Sequence, residues 1–264
     1  MRLYKYCPWD INKNEHIRNN LIHSILYFQA PSLMNDPFDT SPSFQVNYNK
    51  KISLHHFIDL FEKDRLLPKA AKRKATKEFK NTKRAEEYAR QLTNRIKKHV
   101  GICCFTTKPD NLLMWAHYAD YHRGICLQFD FPSDQTIIPV PSKLSKHLSA
   151  ILPQKVDYRR NRPIFTLFNK NFKEVKDYCL IKSDDWVYED EYRAITPEYV
   201  GPANYNPIYL SGIILGCRTT QSDFNEIRYV VKKMPFQPRL YKTVVKKNEF
   251  ALEIKQLSVN YHHL

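Results

Sequence analysis

The sequence predicts an α+β protein built on a mixed, mainly antiparallel sheet. Apolar segments of strand length alternate with amphipathic segments of helix length, without the regular strand–helix period of a parallel α/β fold. The chain has 17 Tyr and 15 Phe but only 5 Gly, a composition that favours a packed core over disorder. Its 264 residues suffice for one such core. We therefore predict a single domain, 1–264, with a helical insertion at about 53–99.

Helices and strands in the first half of the chain are distinguished by the spacing of their apolar residues. Ile17, Leu21 and Ile25 recur at helical spacing after a first short apolar run, and Asp110 stands where a helix N-cap is expected. Three prolines between residues 30 and 43 indicate a loop. The predicted order is strand 3–6, helix 15–25, strand 26–28, loop 30–43, a helix from about 53, a basic helix at 69–99, strand 101–106, helix 110–120 and strand 124–131.

The second half of the chain also alternates strands and helices irregularly. Phe165, Phe168 and Phe172 fall near one face of a helix. The run Val-Asp-Tyr at 156–158, which follows a proline and precedes a basic turn, predicts a short strand. The predicted order is a strand within 151–158, helix 165–180, strand 192–195, strand 208–215, helix 222–231 and strand 240–246. Because no βαβ repeat links these elements, a mainly antiparallel sheet is expected.

The positive charge of the chain is concentrated in one segment. The whole sequence has a formal net charge of +15, and residues 65–98 hold 13 Lys and Arg against three Glu, a net +10. A field of this size attracts polyanions and makes their binding salt-dependent. A solvated helical surface has the same composition. We predict that RNA or DNA binds along this basic helix through Lys72, Arg73, Lys80 and Arg84.

Cysteine usage and hydropathy indicate a reducing, aqueous compartment. The six cysteines form no C-x-x-C pair, so neither a zinc site nor a disulfide framework is indicated. The first residues lack an apolar core of signal-peptide length, and the chain has no apolar run of about 18 residues. We expect a cytoplasmic protein that does not span a membrane.

Residues 186–193 form an acidic and aromatic segment that stands out in this basic chain. The segment reads Trp-Val-Tyr-Glu-Asp-Glu-Tyr-Arg. On a strand, Glu189 and Glu191 point to the same face, so we expect both carboxylates to lie in one cleft. The aromatic side chains expected to form the walls of this cleft are Trp186, Tyr188 and Tyr192. Surface glutamates paired with lysines are the alternative explanation.

Other polar residues that lie beside aromatic residues are candidate ligand contacts. They are Lys5, Tyr6, Asn35, Asp36, Thr106, Trp115, Tyr118 and Arg193. Each has a structural alternative: Asn and Asp bond their own backbone in tight turns, Trp115 and Tyr118 have the spacing of a core helix, and Arg193 has Glu191 within ion-pairing range on a strand. A further alternative is that Asp36, Asp39 and the two glutamates gather a divalent metal, which prefers oxygen ligands.

Five motifs together resemble a bacterial family catalogued as domain of unknown function 2971. In chain order they are Leu-Tyr-Lys-Tyr at 3–6, Asn-Asp-Pro-Phe-Asp at 35–39, Met-Trp-x-x-Tyr-Ala-x-x-His-x-Gly-x-Cys-Leu-x-Phe-Asp at 114–130, Trp-x-Tyr-Glu-x-Glu-Tyr-Arg at 186–193 and Ile-Ile-Leu-Gly-x-Arg at 213–218. The motifs touch most of the chain. This resemblance implies a family and no particular activity.

A second resemblance is to ADP-ribosyltransferases. Their site elements follow the order of a basic residue on the first strand, a hydroxyl-bearing element midway and a late Glu-x-Glu. This chain has Lys5 early, Thr106 and Thr107 midway, and Glu189 and Glu191 late. The resemblance implies an ADP-ribosyltransferase-like sheet and NAD as the substrate.

The same resemblance implies roles for these residues. Cleavage of the bond between nicotinamide and ribose builds positive charge on the sugar, which Glu191 would stabilise. Glu189 would orient or deprotonate the acceptor. The other implied NAD contacts are Arg2, Lys5 or Arg193 at the pyrophosphate, Tyr6, Trp115 or Tyr118 stacked on a ring, and Asn35, Asp36 and Thr106.

The leading hypothesis from the sequence is an NAD-dependent ADP-ribosyltransferase-like enzyme. It would be a toxin or phage-defence effector that acts on nucleic acid or protein, with an antitoxin or defence-system protein as its partner. Two alternatives stay open. One is a non-catalytic nucleic-acid-binding module in which the basic helix carries the function, and the other is a metal-dependent nuclease.

Overall fold

The structure is a computed structural model, and the residues it describes fall into several ranges. These are 1–10, 15–41, 43–46, 90, 94, 97–132, 152–162, 164–167, 179–196 and 199–258. Most of the helical insertion predicted at 53–99 therefore lies outside the described residues. So do the four predicted nucleic-acid contacts, Lys72, Arg73, Lys80 and Arg84.

Strands dominate the described part of the chain. In order they are β1 (Arg2–Cys7), β2 (Ile25–Phe28), β3 (Ser43–Val46), β4 (Gly101–Thr106), β5 (Ile125–Asp130), β6 (Gln154–Lys155), β7 (Asp157–Arg159), β8 (Ile164–Leu167), β9 (Ile181–Ser183), β10 (Glu191–Thr196), β11 (Gly201–Asn204), β12 (Leu210–Leu215), β13 (Arg239–Val245) and β14 (Leu252–Gln256). The helices described from end to end are α1 (Glu15–Ile22), α2 (Leu112–Tyr118) and α3 (Gln221–Lys233), with 3-10 helices at Pro31–Leu33, Asp184–Glu189 and Pro207–Tyr209.

Eight strands form one large sheet in the order β14-β13-β12-β5-β1-β4-β10-β6. Within this sheet β12 and β13 run parallel, and the other neighbouring strands are antiparallel. Three two-stranded sheets pair β2 with β11, β3 with β8 and β7 with β9. The predicted α+β class and the mainly antiparallel sheet are confirmed.

The two faces of the large sheet are covered by different helices. Side chains alternate between the faces along each strand. Leu3 of β1 and Phe105 of β4 share one buried cluster with residues of α1 and α3, including Leu21. Tyr6 of β1 belongs to a second cluster with Trp115 of α2, and the two rings meet edge to face at 5.1 Å. We call the two sides the α1 face and the α2 face.

The large sheet is split between its central strands, β1 and β4. Each of them pairs over six residues with its outer neighbour, β1 with β5 and β4 with β10. Between themselves they share one register pair, Tyr4 with Thr106. At the other end of β4, Ile102 bridges to Gln29 instead. The opening between Thr106 and Ile102, which we call the window, is on the order of 13 Å long at the usual rise of a strand.

Helix α2 begins later than predicted because Asn111, and not Asp110, is its N-cap. The Asn111 side-chain oxygen accepts hydrogen bonds from the backbone N–H groups of Leu113 at 2.9 Å and Met114 at 3.1 Å. These N–H groups have no acceptor within the first turn of a helix. The helix predicted at 110–120 is therefore shorter at both ends.

The helix predicted at 165–180 is wrong at its beginning, where β8 is found. Ile, Phe and Thr favour extended structure, and β3 provides a parallel partner for this segment. Strands β11 and β14 were not predicted. Each is completed by pairing, β11 with β2 and β14 with β13, and the Gly-Pro-Ala-Asn sequence of β11 has no apolar alternation to indicate a strand.

All six cysteines are free thiols. Cys103, Cys126 and Cys179 are buried, and the other three are partly buried. Within the described ranges, no helix combines the length and the apolar character needed to cross a membrane.

Candidate active site

A cavity of about 910 Å³ lies at the window in the sheet. Residues 4–7 of β1 line one side, and Cys104 and Thr106 of β4 line the other. Further lining residues come from both faces, including Leu21 of α1 and Tyr118 of α2. The cavity therefore extends through the split sheet, and its volume is typical of a small-molecule site.

Five charged side chains are buried together where the cavity meets the α2 face. They are Asp39, Lys182, Glu189, Glu191 and Arg193, which we call the charge cluster. None is more than 6% exposed. Three carboxylates and two cations leave one uncompensated negative charge when all five groups are ionised. Since burial of an ion costs several kcal/mol before pairing, such a cluster requires close contacts.

Arg193 is the centre of the charge cluster and uses all five of its N–H groups. Nη1 and Nη2 donate to the two carboxylate oxygens of Asp39 at 2.7 and 2.6 Å. Nε and Nη2 donate to those of Glu191 at 2.8 and 3.0 Å. Nη1 also donates to the Cys179 carbonyl at 2.7 Å. Arg193 therefore holds two carboxylates in place and has no N–H left for a pyrophosphate.

Lys182 joins the two glutamates of the acidic segment. Its Nζ lies 2.5 Å from Glu189 Oε2 and 3.1 Å from Glu191 Oε2. The ammonium also lies 4.9 Å from the centroid of the Trp186 ring, within cation–π range. Burial alone would lower the pKa of Lys182, but Glu191 and Glu189 outweigh it and raise the pKa above its ordinary value. Lys182 is therefore charged at physiological pH.

The two glutamates have opposite pKa shifts. Burial raises the pKa of Glu189 against the pull of Lys182, and the charge of Glu191 adds to the increase. Burial also acts to raise the pKa of Glu191, but Arg193 and Lys182 outweigh it and hold the pKa at about 2. Glu191 is thus a permanent negative charge, whereas Glu189 is the better proton acceptor. Two carboxyl groups whose pKa values differ in this way can take separate roles, one as a proton acceptor and the other as a fixed negative charge.

A chain of hydrogen bonds leads from the surface to Glu189. The amide of exposed Asn35 donates to the Tyr118 hydroxyl at 3.1 Å, and that hydroxyl donates to Glu189 Oε1 at 2.6 Å. Burial raises the pKa of Tyr118, so the phenol remains a neutral donor. Because Asn35 occupies the acceptor side of the hydroxyl, the proton of Tyr118 is directed at Glu189.

A left-handed residue brings both glutamates to the cluster. Glu189 ends a 3-10 helix and Glu191 begins β10, while Asp190 between them has φ 42°, a conformation that Asp tolerates better than most residues. Thr106 Oγ1 fixes this turn by donating to the Glu189 carbonyl at 2.5 Å. The two carboxylates do line one cavity, but alternation along a strand is not the reason.

The aromatic walls of the cavity differ from the expected ones. Trp186, Tyr188 and Tyr192 are not among its lining residues. Tyr192 lies on the opposite side of β10 from Glu191, since side chains alternate along a strand. The aromatic residues that do line the cavity are Tyr4, Tyr6, Tyr27, Phe105, Tyr118, Phe129 and Tyr205.

Six of the eight predicted NAD contacts line the cavity, namely Lys5, Tyr6, Asn35, Thr106, Tyr118 and Arg193. Asp36 does not: it is buried and accepts a hydrogen bond from the Phe38 N–H at 2.8 Å, as in a tight turn. Trp115 has no exposed surface and donates to the Pro109 carbonyl, so it belongs to the core. Arg2 also lies outside the cavity, paired with Asp130 at 2.6 Å.

Two members of the charge cluster, Asp39 and Lys182, were not predicted as ion-pair partners: Asp39 pairs with Arg193, and Lys182 pairs with both glutamates. The sequence suggests Asp39 only as one candidate ligand of a divalent metal, whereas its carboxylate accepts two hydrogen bonds from Arg193. Across the described residues, no group of three or more His, Cys, Asp or Glu side chains is placed to hold a metal ion. Lys182 is one of 42 basic residues, and nothing in its sequence neighbourhood distinguishes it.

Comparison with protein families adds one match. Residues 114–194 match a family described as protein of unknown function, DUF2971. The chain resembles DUF2971 over this segment. The DUF2971 segment runs from α2 into β10 and contains Tyr118, Lys182, Glu189, Glu191 and Arg193, whereas Asp39 comes from outside it. Neither the curated proteins nor the solved structures gave a match to the chain.

Proposed function

We propose that this chain is an NAD-dependent enzyme of the ADP-ribosyltransferase type, with the charge cluster as its catalytic centre. One observation carries the proposal: Glu189 and Glu191, with pKa values shifted in opposite directions, converge on a cavity of small-molecule size. An ADP-ribosyltransferase-like fold is part of the same proposal.

The strand order supports the proposal. The ADP-ribosyltransferase resemblance concerns a basic residue on the first strand, a hydroxyl midway and a late glutamate. In this sheet the three elements lie on β1, β4 and β10, which are consecutive neighbours. Thr106 stands opposite Tyr4 on one side and opposite Glu191 on the other. Tyr4, Thr106 and Glu191, which are far apart in sequence, therefore lie side by side on three neighbouring strands. Lys5 follows Tyr4 directly in β1.

In the proposed reaction, the bond between ribose C1′ and the nicotinamide nitrogen breaks. Nicotinamide leaves with the bonding electron pair as a neutral molecule, and the positive charge that develops on the ribose is stabilised by the negative charge cluster. Glu191 contributes a carboxylate that is ionised at any physiological pH. A hydroxyl or amine of the acceptor then forms the new bond to C1′, and Glu189 takes the proton that the acceptor loses.

The charge and the lining of the cavity support NAD as its ligand. The net negative charge of the cluster complements the positive charge of the nicotinamide ring in NAD. The cavity wall is mostly apolar with a few polar groups, as is usual for small-molecule sites. Lys5 is available for a phosphate, because it makes no ion pair with any described residue; its ammonium donates to the Cys104 carbonyl at 3.3 Å.

The acceptor is proposed from charge. The net +10 of residues 65–98 raises the local concentration of polyanions, so we propose nucleic acid as the acceptor or guide, with protein as the second acceptor class. An enzyme that consumes NAD and modifies such acceptors in the cytoplasm fits a toxin or phage-defence effector. An antitoxin or another defence-system protein would restrain it.

The test is label transfer from NAD. Purified protein is incubated with NAD labelled in its adenosine half, with and without total RNA, short DNA or cell protein, and both released nicotinamide and transferred label are measured. We expect wild-type transfer to fall by at least about 100-fold in Glu191→Gln. Asp190→Asn is the matched control, because it makes the same chemical change at a residue that does not line the cavity, and Asn tolerates the left-handed backbone.

Charge reversal of the basic segment separates the alternatives. With Lys72, Arg73, Lys80 and Arg84 all changed to Glu, the proposed enzyme loses nucleic-acid labelling and keeps NAD cleavage. If no protein form cleaves NAD and the reversal abolishes salt-sensitive nucleic-acid binding, the chain is a binding module. If RNA or DNA is degraded and a chelator stops the degradation, the chain is a metal-dependent nuclease.

A further inference from the structure

The cavity has a second end, on the α1 face of the sheet, away from the charge cluster. Ile17 and Leu21 of α1 and Leu26 of β2 line this end with buried apolar surface. Tyr205, which is 4% exposed, completes the apolar wall. A flat, largely apolar ligand group therefore finds a matching surface here.

Polar groups at the same end lack partners within the protein. His16 and Asn20 of α1 both line the cavity, and the Asn20 side chain is half-buried. Over the ranges that the structure describes, the Asn20 amide has no hydrogen-bond partner. A half-buried amide with no protein partner can both donate to and accept from a ligand that enters the cavity. An apolar wall with one amide and one imidazole is chemistry that recognises a nucleobase edge and its faces.

Lys5 lies between the two ends of the cavity. Its position in β1 puts it on the α1 face, two residues from Leu3, with its Nζ 5.9 Å from the centroid of the Phe105 ring. Because β1 and β4 do not pair at this point, the Lys5 ammonium can donate a hydrogen bond to the Cys104 carbonyl of β4, at 3.3 Å. The ammonium therefore reaches into the window, and no described carboxylate pairs with it.

We propose that the α1 end is a nucleobase compartment and that Lys5 binds the phosphate of a nucleotide whose far end reaches the charge cluster. From the α1 face to the α2 face, the cavity then presents the apolar wall with the Asn20 amide, the Lys5 ammonium and the negatively charged cluster. A dinucleotide whose second base is a positively charged ring has the matching order of base, phosphates and cationic end. The choice of NAD as this dinucleotide rests on the proposed function, but the assignment of the two subsites does not.

The test uses two nucleotides that each carry half of the proposed ligand. AMP has the nucleobase and a phosphate, and nicotinamide mononucleotide has a phosphate and the cationic end. Asn20→Leu keeps the size of the side chain and removes its hydrogen bonds, and Asn19→Leu on the exposed side of α1 is the matched control. Lys5→Met removes the charge and keeps the length of the chain.

Calorimetric titration should show different effects on the two probes. We expect Asn20→Leu to weaken AMP about tenfold, the cost of roughly one hydrogen bond, while the Kd of nicotinamide mononucleotide stays within twofold. Lys5→Met should weaken both probes and reduce the salt dependence of both. Asn19→Leu should change neither, and the thermal unfolding of all variants is measured to show that they are folded.

Two results would overturn the subsite assignment. One is wild-type protein that does not bind AMP, and the other is Asn20→Leu protein, shown to be folded, that binds AMP as wild type does. Nicotinamide release from NAD is measured in parallel. The expected binding pattern without NAD cleavage leaves the subsites standing and rejects the proposed function, whereas NAD cleavage with no effect of Asn20→Leu on AMP does the reverse.

Discussion

Strand β4 and its neighbours bury an aromatic region on one face of the sheet and a charged region on the other. On the α1 face, Phe105 packs edge-on against Phe129 and Phe131, with ring centroids 5.8 Å apart in each pair. On the α2 face, Glu191 and Arg193 stand opposite Thr106 and Cys104 in the sheet register and are equally inaccessible.

The two regions are stabilised by different physics. Burial of apolar surface stabilises the aromatic region directly, at roughly 25 cal/mol per Å². The charge cluster must first lose the hydration of five ions, and a hydrophobic replacement of such a cluster is often neutral or stabilising. Stability alone therefore does not explain why this chain buries five charges beside a cavity. The catalytic role proposed for the cluster would account for it.

The largest expected effect comes from breaking the charge cluster at its centre. Arg193→Met leaves Asp39 and Glu191 buried without their main partner, and we expect the free energy of unfolding to fall by about 3–5 kcal/mol. The double variant Asp39→Leu with Arg193→Met removes one charge of each sign and should recover most of that loss. Urea denaturation measures both. Equal losses in the single and double variants would mean that packing, and not unpaired charge, causes the effect.

The aromatic region provides the counterpart to this prediction. Phe131→Ala should also cost about 3–5 kcal/mol, through lost transfer energy and a cavity, but with no dependence on pH. Phe131 does not line the ligand cavity, so the folded variant should keep its affinity for nucleotide. If Phe131→Ala abolishes nucleotide binding while the protein remains folded, the two faces are coupled and are not independent regions.

Acid titration should separate Glu191 from Glu189. The pKa of Glu191 is lowered from 4.5 to about 2, so its stabilisation is present above pH 4.5 and is lost as the pH falls through 2. A shift of this size corresponds to about 3 kcal/mol. The stability difference between wild type and Glu191→Gln should therefore shrink by about that amount between pH 5 and pH 2.

Glu189 should show the opposite sign in the same experiment. Its pKa is raised in the folded protein, so its contribution to stability is fully present below pH 4.5 and is lost as the pH rises through the folded-state value. Glu189→Gln should gain stability relative to wild type as the pH rises. Parallel pH profiles for the two variants would contradict the opposite pKa shifts on which the proposed roles rest.

The smallest expected effect concerns Tyr118. Tyr118→Phe removes the hydrogen bond to Glu189 Oε1, and we expect a loss of about 1–2 kcal/mol in the free energy of unfolding. Because that bond favours the ionised carboxylate, the pKa of Glu189 should rise further and the acid limb of the activity profile should move to higher pH. Tyr121→Phe, at an exposed tyrosine beyond the same helix, is the control and should change neither quantity.

The sequence predicted those parts of the fold that depend on local pattern. The strands around Leu3, Phe105 and Phe129 were predicted from short apolar runs, and the helix predicted at 222–231 lies within α3. Strand β11 was not, because Gly-Pro-Ala-Asn becomes a strand only by pairing with β2. The helical spacing of phenylalanines from Phe165 onward gave a helix where β8 begins, because pairing with β3 overrides local propensity.

In the candidate site, too, the sequence predicted some residues and not others. Glu189 and Glu191 could be found because two acids beside aromatic residues are conspicuous in a basic chain. Lys182 could not, since its role depends on β9 lying next to the turn between the glutamates. The partner of Arg193 was expected from its own segment, and Glu191 is one such partner. Asp39 is 154 residues away in sequence, a contact that only the fold creates.

Release of nicotinamide from NAD as a function of pH tests the central claim most directly. Wild type, Glu189→Gln and Asp190→Asn are compared between about pH 5 and 9. Wild type and Asp190→Asn should release nicotinamide to an acceptor along one rising limb, because Glu189 must be ionised to take a proton. Glu189→Gln should be slower by about 100-fold or more and lack that limb. Release by Glu189→Gln at the wild-type rate and with the wild-type profile would contradict the account.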